Sequence, residues 1–134
     1  IEENINSGLL EKNELNLRLL LGAWTAAREF DEAISVIDIL AQITNEGKLY
    51  IQKAILLNEK GDWNGIKVAT SLALKDANLE NPGDVYILRG MAHTELKEYQ
   101  EAIESFAKAV EVGSDTNKKN AEAWLDYVAD RAGI

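Results

Sequence analysis

The only histidine of the chain, His93, and the absence of cysteine leave little room for catalytic or metal chemistry. Without thiols there can be no disulfide, thiol nucleophile or thiolate-bound metal. Zinc sites need several His or Cys ligands at defined spacing, and the sequence has no such cluster. A Ser–His–Asp arrangement would depend on His93, yet no G-x-S-x-G nucleophile elbow accompanies it. We therefore interpret His93 as a structural residue and expect neither an enzyme nor a cofactor or metal site.

The net charge of −9, from 23 acidic and 14 basic residues, argues against two further classes of partner. An acidic surface repels a phosphate backbone, which disfavours nucleic acid. It also offers an anionic membrane no basic patch. The longest apolar run is far shorter than the ~20 residues that a membrane span requires, so membrane insertion is not expected.

Apolar residues recur at helical spacing along most of the chain, between short breaks rich in Gly, Asn and Asp. A single proline suits a helical protein. The predicted helices cover about residues 14–28, 31–44, 49–60, 62–73, 82–96, 99–112 and 117–132. The connectors are short, except for a longer polar link at 114–117, so successive helices should be antiparallel neighbours.

Several residue types at the ends of these segments are typical of helix boundaries. Asp31, Asp62 and Asn81 are the predicted caps, because their side chains can accept from free backbone N–H groups. Pro82 suits a first helical position, where a missing N–H costs nothing. Gly113 is the predicted stop of the helix before it.

A register of large and small residues recurs every 33 to 38 residues. It is clearest in Tyr86-x3-Gly90-x8-Tyr99-x2-Ala102-x3-Phe106-x2-Ala109. Two upstream copies contain Leu17, Leu21, Phe30, Ala33, Ile37 and Leu40, then Tyr50, Ala54, Trp63, Ile66, Thr70 and Ala73. A partial fourth copy begins at Trp124. Repetition at this length predicts a solenoid of paired helices, in which each pair buries its apolar face on the next.

This register resembles the tetratricopeptide repeat, whose family motif reads W-x2-L-G-x2-Y…A-x3-F-x2-A…P. The resemblance covers about residues 14–132 and is most specific in the third copy. Arg89 stands where the family has Leu, His93 where it has Tyr, and Ser114 where it has Pro. The resemblance implies an all-α fold, an α-α superhelix of about three helical hairpins plus a C-terminal capping helix.

We expect one domain over residues 1–134. Its predicted parts are the tail of a truncated preceding repeat with Gly8 as a helix stop (1–12), repeat 1 (14–46), repeat 2 (47–80), repeat 3 (81–113) and a capping helix (117–132). The capping helix should end the stack by packing one face and exposing the other. Its predicted packing face consists of Ala121, Trp124, Tyr127 and Val128.

The resemblance implies a concave face, lined by the first helix of each pair, that binds another protein as a peptide or an amphipathic helix. The candidate partner-binding residues are Arg18, Thr25, Lys48, Ile51, Ile55, Asn58, Ile87, Met91, Thr94 and Glu95. Four of them, Ile51, Ile55, Ile87 and Met91, would form an apolar strip on a surface that should face solvent, and such strips mark partner sites. Equally open is the alternative that the N-terminal segment or the C-terminal helix covers this strip.

One well-known subclass of the family grips C-terminal carboxylates with Lys and Asn at two inward positions. The equivalent residues here are Arg18 and Gly22 in the first repeat, then Ile51 and Ile55 in the second. The clamp is missing, so an adaptor for chaperone tails of that type is not expected.

The second half of the chain also resembles bacterial periplasmic tetratricopeptide-repeat proteins that accompany TonB–ExbB–ExbD systems. The residues that carry this narrower resemblance are Gly47-Lys48-Leu49-Tyr50, Gly61-Asp62-Trp63, Asn81-Pro82-Gly83-Asp84-Val85-Tyr86 and Ala123-Trp124-Leu125-Asp126-Tyr127-Val128. It implies a periplasmic scaffold that supports TonB-dependent transport through protein contacts. The leading hypothesis is thus a non-catalytic interaction scaffold. The alternative is a structural spacer or a homo-oligomer that associates through the exposed end of a truncated repeat.

Overall fold

The computed structural model describes residues 13–134, and these residues form seven α-helices without a strand. In chain order they are α1 (Asn13–Ala26), α2 (Phe30–Thr44), α3 (Gly47–Lys60), α4 (Trp63–Ala73), α5 (Pro82–Glu95), α6 (Tyr99–Val112) and α7 (Asp115–Ala132). The all-α fold predicted from the repeat is confirmed. The tail predicted for 1–12, with its stop at Gly8, lies outside the described residues.

Each helix packs against the next one along the chain, and α5 also contacts α3 and α7. The hydrophobic core is divided into successive clusters along this row of helices. The first is centred on α1 and α2, the second on α3 and α4, and the third on α6 and α7. Because each pair of helices buries its apolar face mainly on its neighbours, stability accumulates locally, as expected for a solenoid.

The second helix of each pair has the same burial pattern in all three copies. Its opening aromatic residue, Phe30, Trp63 or Tyr99, is half-buried. The three inner positions that follow are at most 1% exposed in every copy: Ala33, Ile37 and Leu40, then Ile66, Thr70 and Ala73, then Ala102, Phe106 and Ala109. The spacing that the sequence repeats is therefore the spacing of the buried face.

Two of the three predicted caps differ in detail from the structure. The residue before α2 is Glu29, and Asp31 lies within the first turn, where its negative charge suits the helix dipole. Asp62 caps α4 as predicted and accepts from the N–H of Gly65 at 2.9 Å. Asn81 precedes Pro82 as expected, but its side chain makes no capping bond and donates instead to Asp84.

The longer polar link predicted at 114–117 is wrong. Ser114 is the N-cap of α7, and Asn117 completes a capping box with it, so the helix begins at Asp115. The long connector is 74–81, between α4 and α5. The predicted helix bounds 62–73 and 82–96 leave this same gap, so the general expectation of short connectors, and not the helix bounds, was wrong here.

Arg89, one of the departures from the repeat motif, contacts Thr70. Arg89 Nη1 donates to Thr70 Oγ1 at 3.0 Å, to Ser71 Oγ at 2.7 Å and to the carbonyl of Lys67 at 2.7 Å. A polar residue on α5 therefore satisfies polar groups on α4 where the family packs apolar side chains. His93 is 7% exposed, and its Nδ1 lies 2.8 Å from Oε1 of Glu98, in keeping with a structural role.

Candidate functional site

The first helices of the pairs, α1, α3 and α5, carry all ten candidate partner-binding residues, but these residues differ in accessibility. Thr25, Lys48, Ile55 and Glu95 are exposed, whereas Arg18, Ile51, Asn58, Ile87 and Met91 are half-buried. Thr94 is buried, and its hydroxyl donates to the carbonyl of Gly90 at 2.8 Å. At 9% exposure, Thr94 presents little surface to a partner.

Two open depressions have candidate partner-binding residues in their linings. The first, which we call the polar groove, has a volume of about 690 Å³ and runs along the starts of α3 and α5 and the 74–81 connector. Its lining residues are Thr44, Asn45, Glu46, Lys48, Ile51, Asp76, Asn78, Leu79, Glu80, Asn81 and Asp84. Four carboxylates and one ammonium group make this surface acidic.

The second depression, which we call the aromatic groove, lies between α5 and α7 and has a volume of about 660 Å³. Its lining residues are Ile87, Met91, Asn120, Ala123, Trp124 and Tyr127. Five of these six side chains are apolar or aromatic, so the groove can take up a large apolar side chain from a partner.

The aromatic wall of this groove is anchored in the core. The ring of Trp124 stacks on Phe106 with a centroid distance of 5.4 Å and an angle of 6° between the planes. Tyr127 then meets Trp124 edge-on at 5.6 Å, and the Arg131 guanidinium lies 4.8 Å from the centroid of the Tyr127 ring. These contacts hold the two rings in place, which reduces the entropy lost when a ligand packs on them.

The apolar strip predicted on the concave face is divided between the two grooves. Ile51 lines the polar groove, and Ile87 and Met91 line the aromatic groove. Ile55 lines neither of them and is 49% exposed. Ile87 and Met91 also pack against the core cluster that includes α7. The C-terminal helix thus covers part of the strip, and it forms the other wall of the aromatic groove.

Arg18 is engaged at the edge of the polar groove by two carboxylates. Its Nη2 lies 2.5 Å from Glu46 Oε1 and 3.2 Å from Glu14 Oε2. The hydrogen bond to Glu46 raises the pKa of Arg18, and the same bond lowers the pKa of Glu46. Lys48 adds a second cation 3.3 Å from Glu46. These pairs connect α1 to the start of α3 and leave Glu46 ionised at neutral pH.

Sequence reasoning missed Trp124, Tyr127 and Asn120 as candidate site residues. It assigned Trp124 and Tyr127 to the packing face of the capping helix, but Tyr127 is 43% exposed, whereas Ala121 and Val128 are buried as predicted. The available signal was position: α7 is the first helix of an incomplete pair, so its inward side had to line the concave face next to α5.

Within residues 13–134 no group of three or more His, Asp or Glu side chains is arranged to hold a metal ion. Across the same residues, no helix is long and apolar enough to cross a membrane.

Comparison with known proteins agrees with this architecture. The family model for the tetratricopeptide repeat matches residues 83–114, which include α5 and α6. Yeast Tom70 superposes over 92% of this chain and 25% of its own length, with a TM-score of 0.79 at 16% identity. The chaperone PcrH, solved with a region of PopD, gives 0.76 at 18% identity over 93% of this chain and 97% of its own. The chain has the tetratricopeptide-repeat fold.

Other proteins with this repeat fold superpose as well. The first tetratricopeptide-repeat domain of Spaghetti (RPAP3), solved with an HSP90 peptide, covers 92% of this chain and 95% of its own length, with a TM-score of 0.76 and 17% identity. By sequence, the chain is 27% identical over 95 residues to the transformation/transcription domain-associated proteins of mouse and human. The match covers 71% of this repeat domain but only 4% and 2% of those proteins.

Proposed function

We propose that the chain is a non-catalytic protein-interaction scaffold that binds a peptide or an amphipathic helix of its partner in the aromatic groove. The observation that carries this proposal is the open, mostly apolar groove formed by Ile87, Met91, Trp124 and Tyr127. Contiguous apolar surface that stays accessible in a folded protein is typical of partner sites. A flexible Met beside fixed aromatic rings suits the uptake of a side chain of variable shape.

The structural comparisons support a peptide ligand. Several domains of this fold were solved with peptides or protein segments: RPAP3 with an HSP90 peptide, PcrH with a region of PopD, and a yeast Sti1 domain with an Hsp70 peptide. At 17–18% identity these likenesses concern the fold. The choice of ligand must follow from this chain's own surface, in which the aromatic groove replaces the missing carboxylate clamp.

A displayed library of random peptides, selected on the whole chain, tests the proposal. Met91→Glu places a charge in the groove, and Ala123→Arg fills it from an exposed position on α7. Val68→Glu is the matched control, since Val68 is 63% exposed on α4 and lines neither groove. Peptides that bind the wild type and Val68→Glu but lose both groove variants support the proposal. Enrichment of no peptide, or equal binding to all four proteins, contradicts it.

A second candidate is self-association, which the surface of α1 favours. Leu15 and Leu19 lie one turn apart and are 66% and 65% exposed. Two copies of the chain could bury these faces against each other, as in a structural spacer of a larger repeat array. Sedimentation velocity of the wild type and of Leu19→Glu separates the candidates: a dimer that the variant converts to a monomer supports self-association, and a wild-type monomer at all concentrations rejects it.

The narrower role, a periplasmic accessory of TonB-dependent transport in bacteria, rests on the motif resemblance in the second half of the chain. Its test is a pull-down from a native bacterial extract that measures ExbB, ExbD and TonB directly. Their retention by the wild type and loss with Met91→Glu support the role, and their absence from the wild-type eluate rejects it.

A further inference from the structure

We infer that the partner segment carries a basic side chain about three residues from the bulky apolar side chain that enters the aromatic groove. This inference rests on the proposed function and adds the chemistry of the ligand. The occupant is thus an extended segment of another protein, with Lys or Arg about three residues away from a Phe, Leu or similar anchor. Two physical relationships support it: the two grooves share one face of α5, and the charge of the polar groove is complementary to a cation.

The shared face of α5 connects the grooves. Asp84 lines the polar groove, whereas Ile87 and Met91, three and seven residues later, line the aromatic groove. Residues at these spacings lie on the same side of a helix. At 1.5 Å per residue, Asp84 and Met91 are separated by about 10 Å along the axis. An extended peptide covers that distance in about three residues, because each residue advances it by about 3.4 Å.

The carboxylates around the polar groove are Glu46, Asp76, Glu80 and Asp84, and Lys48 is the one cation among its lining residues. Lys48 and, from the edge of the groove, Arg18 both pair with Glu46, at 3.3 and 2.5 Å. The negative charge left for a ligand is therefore that of the other three carboxylates. The side chain of Glu80 is exposed to solvent. An acidic ligand would meet repulsion here, whereas a guanidinium or ammonium group would be attracted.

Two of the carboxylates are held in fixed positions. Asp76 Oδ2 accepts from the N–H of Gly47 at 2.8 Å, and Asp76 Oδ1 accepts from the N–H of Asn78 at 2.9 Å. Asp84 Oδ1 accepts from Asn117 Nδ2 at 2.7 Å. Each of these carboxylates still has lone pairs for a cation, since a carboxylate can accept about four hydrogen bonds. The charge is consequently ordered before the ligand arrives.

The single methionine of the chain, Met91, lies in the aromatic groove and provides a direct reporter. We suggest labelling its methyl group with carbon-13 and following its one NMR signal during titration with short capped peptides. The probe contains Arg-Ser-Ser-Phe in a Gly/Ser background, and a second probe has the reverse order. Matched peptides replace Arg by Ser, Arg by Glu, or Phe by Ser.

The inference predicts a clear order of affinities. Arg should strengthen binding about two- to fivefold over the Ser peptide, which is the usual size of one exposed ion pair. The peptide with Glu in place of Arg should bind more weakly than the Ser peptide. The gain in affinity from Arg should disappear in about 0.5 M salt. Glu80→Lys should abolish the gain from Arg and leave the Ser peptide unchanged. Glu104→Lys, with the same charge change at an exposed site on α6 outside both grooves, should have little effect.

The outcomes separate the two proposals. If the peptides with Phe shift the Met91 signal equally, whatever residue replaces Arg, the groove binds apolar ligands and the inference about charge is wrong. The inference also fails if the Glu peptide binds best, or if Glu104→Lys acts as strongly as Glu80→Lys. If no peptide with Phe shifts the signal, the aromatic groove does not bind peptides of this kind and the proposed function itself is contradicted.

Discussion

Gly90 on α5 faces the ring of Phe106 on α6 so closely that a Cβ at Gly90 would lie 2.6 Å from Cε1 of the ring. The two helices touch at this point because one of them has no side chain there. Phe106 is fully buried and stacks in turn on Trp124, so the contact also positions the wall of the aromatic groove.

Gly90→Ala should therefore destabilise the protein by about 1–3 kcal/mol, in spite of the better helix propensity of Ala, because the ring cannot move away within a packed core. Urea unfolding followed by circular dichroism measures the change. Gly22→Ala is the matched control, since a Cβ at Gly22 would meet no atom within 4 Å. It should stabilise α1 by up to about 1 kcal/mol. Equal effects of the two substitutions would contradict this explanation of Gly90.

Tyr127 should contribute more to binding than to stability, because its ring is 43% exposed at the edge of the aromatic groove. Tyr127→Ala should weaken an Arg-Ser-Ser-Phe peptide about tenfold, the effect typical of an aromatic contact residue. It should change the free energy of unfolding by no more than about 1 kcal/mol. Phe106→Ala should instead cost about 3–5 kcal/mol. Calorimetric unfolding and the Met91 titration measure the two quantities separately, and an unchanged peptide affinity would exclude Tyr127 from the site.

Asn117 connects the start of α7 to α5. Its Oδ1 accepts from the N–H of Ser114 at 3.0 Å while its Nδ2 donates to Asp84, and the residue is 3% exposed. Asn117→Ala should cost about 1–2 kcal/mol, because it removes one arm of a capping box and the hydrogen bond that joins α7 to Asp84 on α5.

Because α7 carries Trp124 and Tyr127, the loss at Asn117 should be local. Hydrogen exchange is expected to accelerate in α7 before it does in α2 or α3. Lys118→Ala, at the next and exposed position of the same helix, is the control and should leave both stability and exchange within experimental error. Uniform acceleration over all helices would indicate that α7 does not open independently.

Glu98 joins three helices, and its ionisation should appear in the pH dependence of stability. Its Oε1 lies 2.8 Å from Nδ1 of His93 on α5 and accepts a hydrogen bond from Nζ of Lys67 on α4 at 3.1 Å. These contacts, that from His93 first, lower the pKa of Glu98. A carboxyl group with a lowered pKa in the folded state stabilises the fold above its ordinary pKa of about 4.3, and this contribution is lost as the pH falls through the lowered value.

The melting temperature of Glu98→Gln should accordingly lie below that of the wild type at neutral pH, and the difference should close as the pH falls below about 4. Thermal unfolding at a series of pH values measures it. Glu104→Gln, at an exposed position of α6, provides the control. A difference that persists unchanged into acid would show that the hydrogen-bond geometry of Glu98, rather than its charge, supports the contact.

Much of the fold could be predicted because it depends on local patterns. The buried positions Ala102, Phe106 and Ala109 follow one another at the spacing of a single helix face. Such a face can be buried against any apolar surface of a neighbouring helix. Glycine and asparagine marked the ends of helices for similarly local reasons: Asn45 and Gly61 adopt the left-handed conformation that closes α2 and α3. The start of α7 was missed because the capping box of Ser114 and Asn117 consists of residues that are equally typical of a loop.

The candidate site was less predictable. Thr94 and Met91 lie on the same helix and were assigned to the same face, yet one is buried and the other lines a groove. The groove beside Met91 exists because α7, which follows α6 in the chain, forms its other wall. The repeat motif specifies residue positions within one pair of helices and none in the helix that follows that pair.

The amino-acid sequence by itself thus determined the helices, their pairing and the residues that they bury, because helical periodicity and cap chemistry act between residues a few positions apart. Only the tertiary structure decided that the apolar strip is divided, that Trp124 and Tyr127 form a wall opposite Met91, and that Asp84 lines an acidic groove while Met91 on the same helix lines an aromatic one. These relationships depend on distances between side chains on different helices, and such distances are fixed by how the helices pack rather than by the order of residues within any one of them.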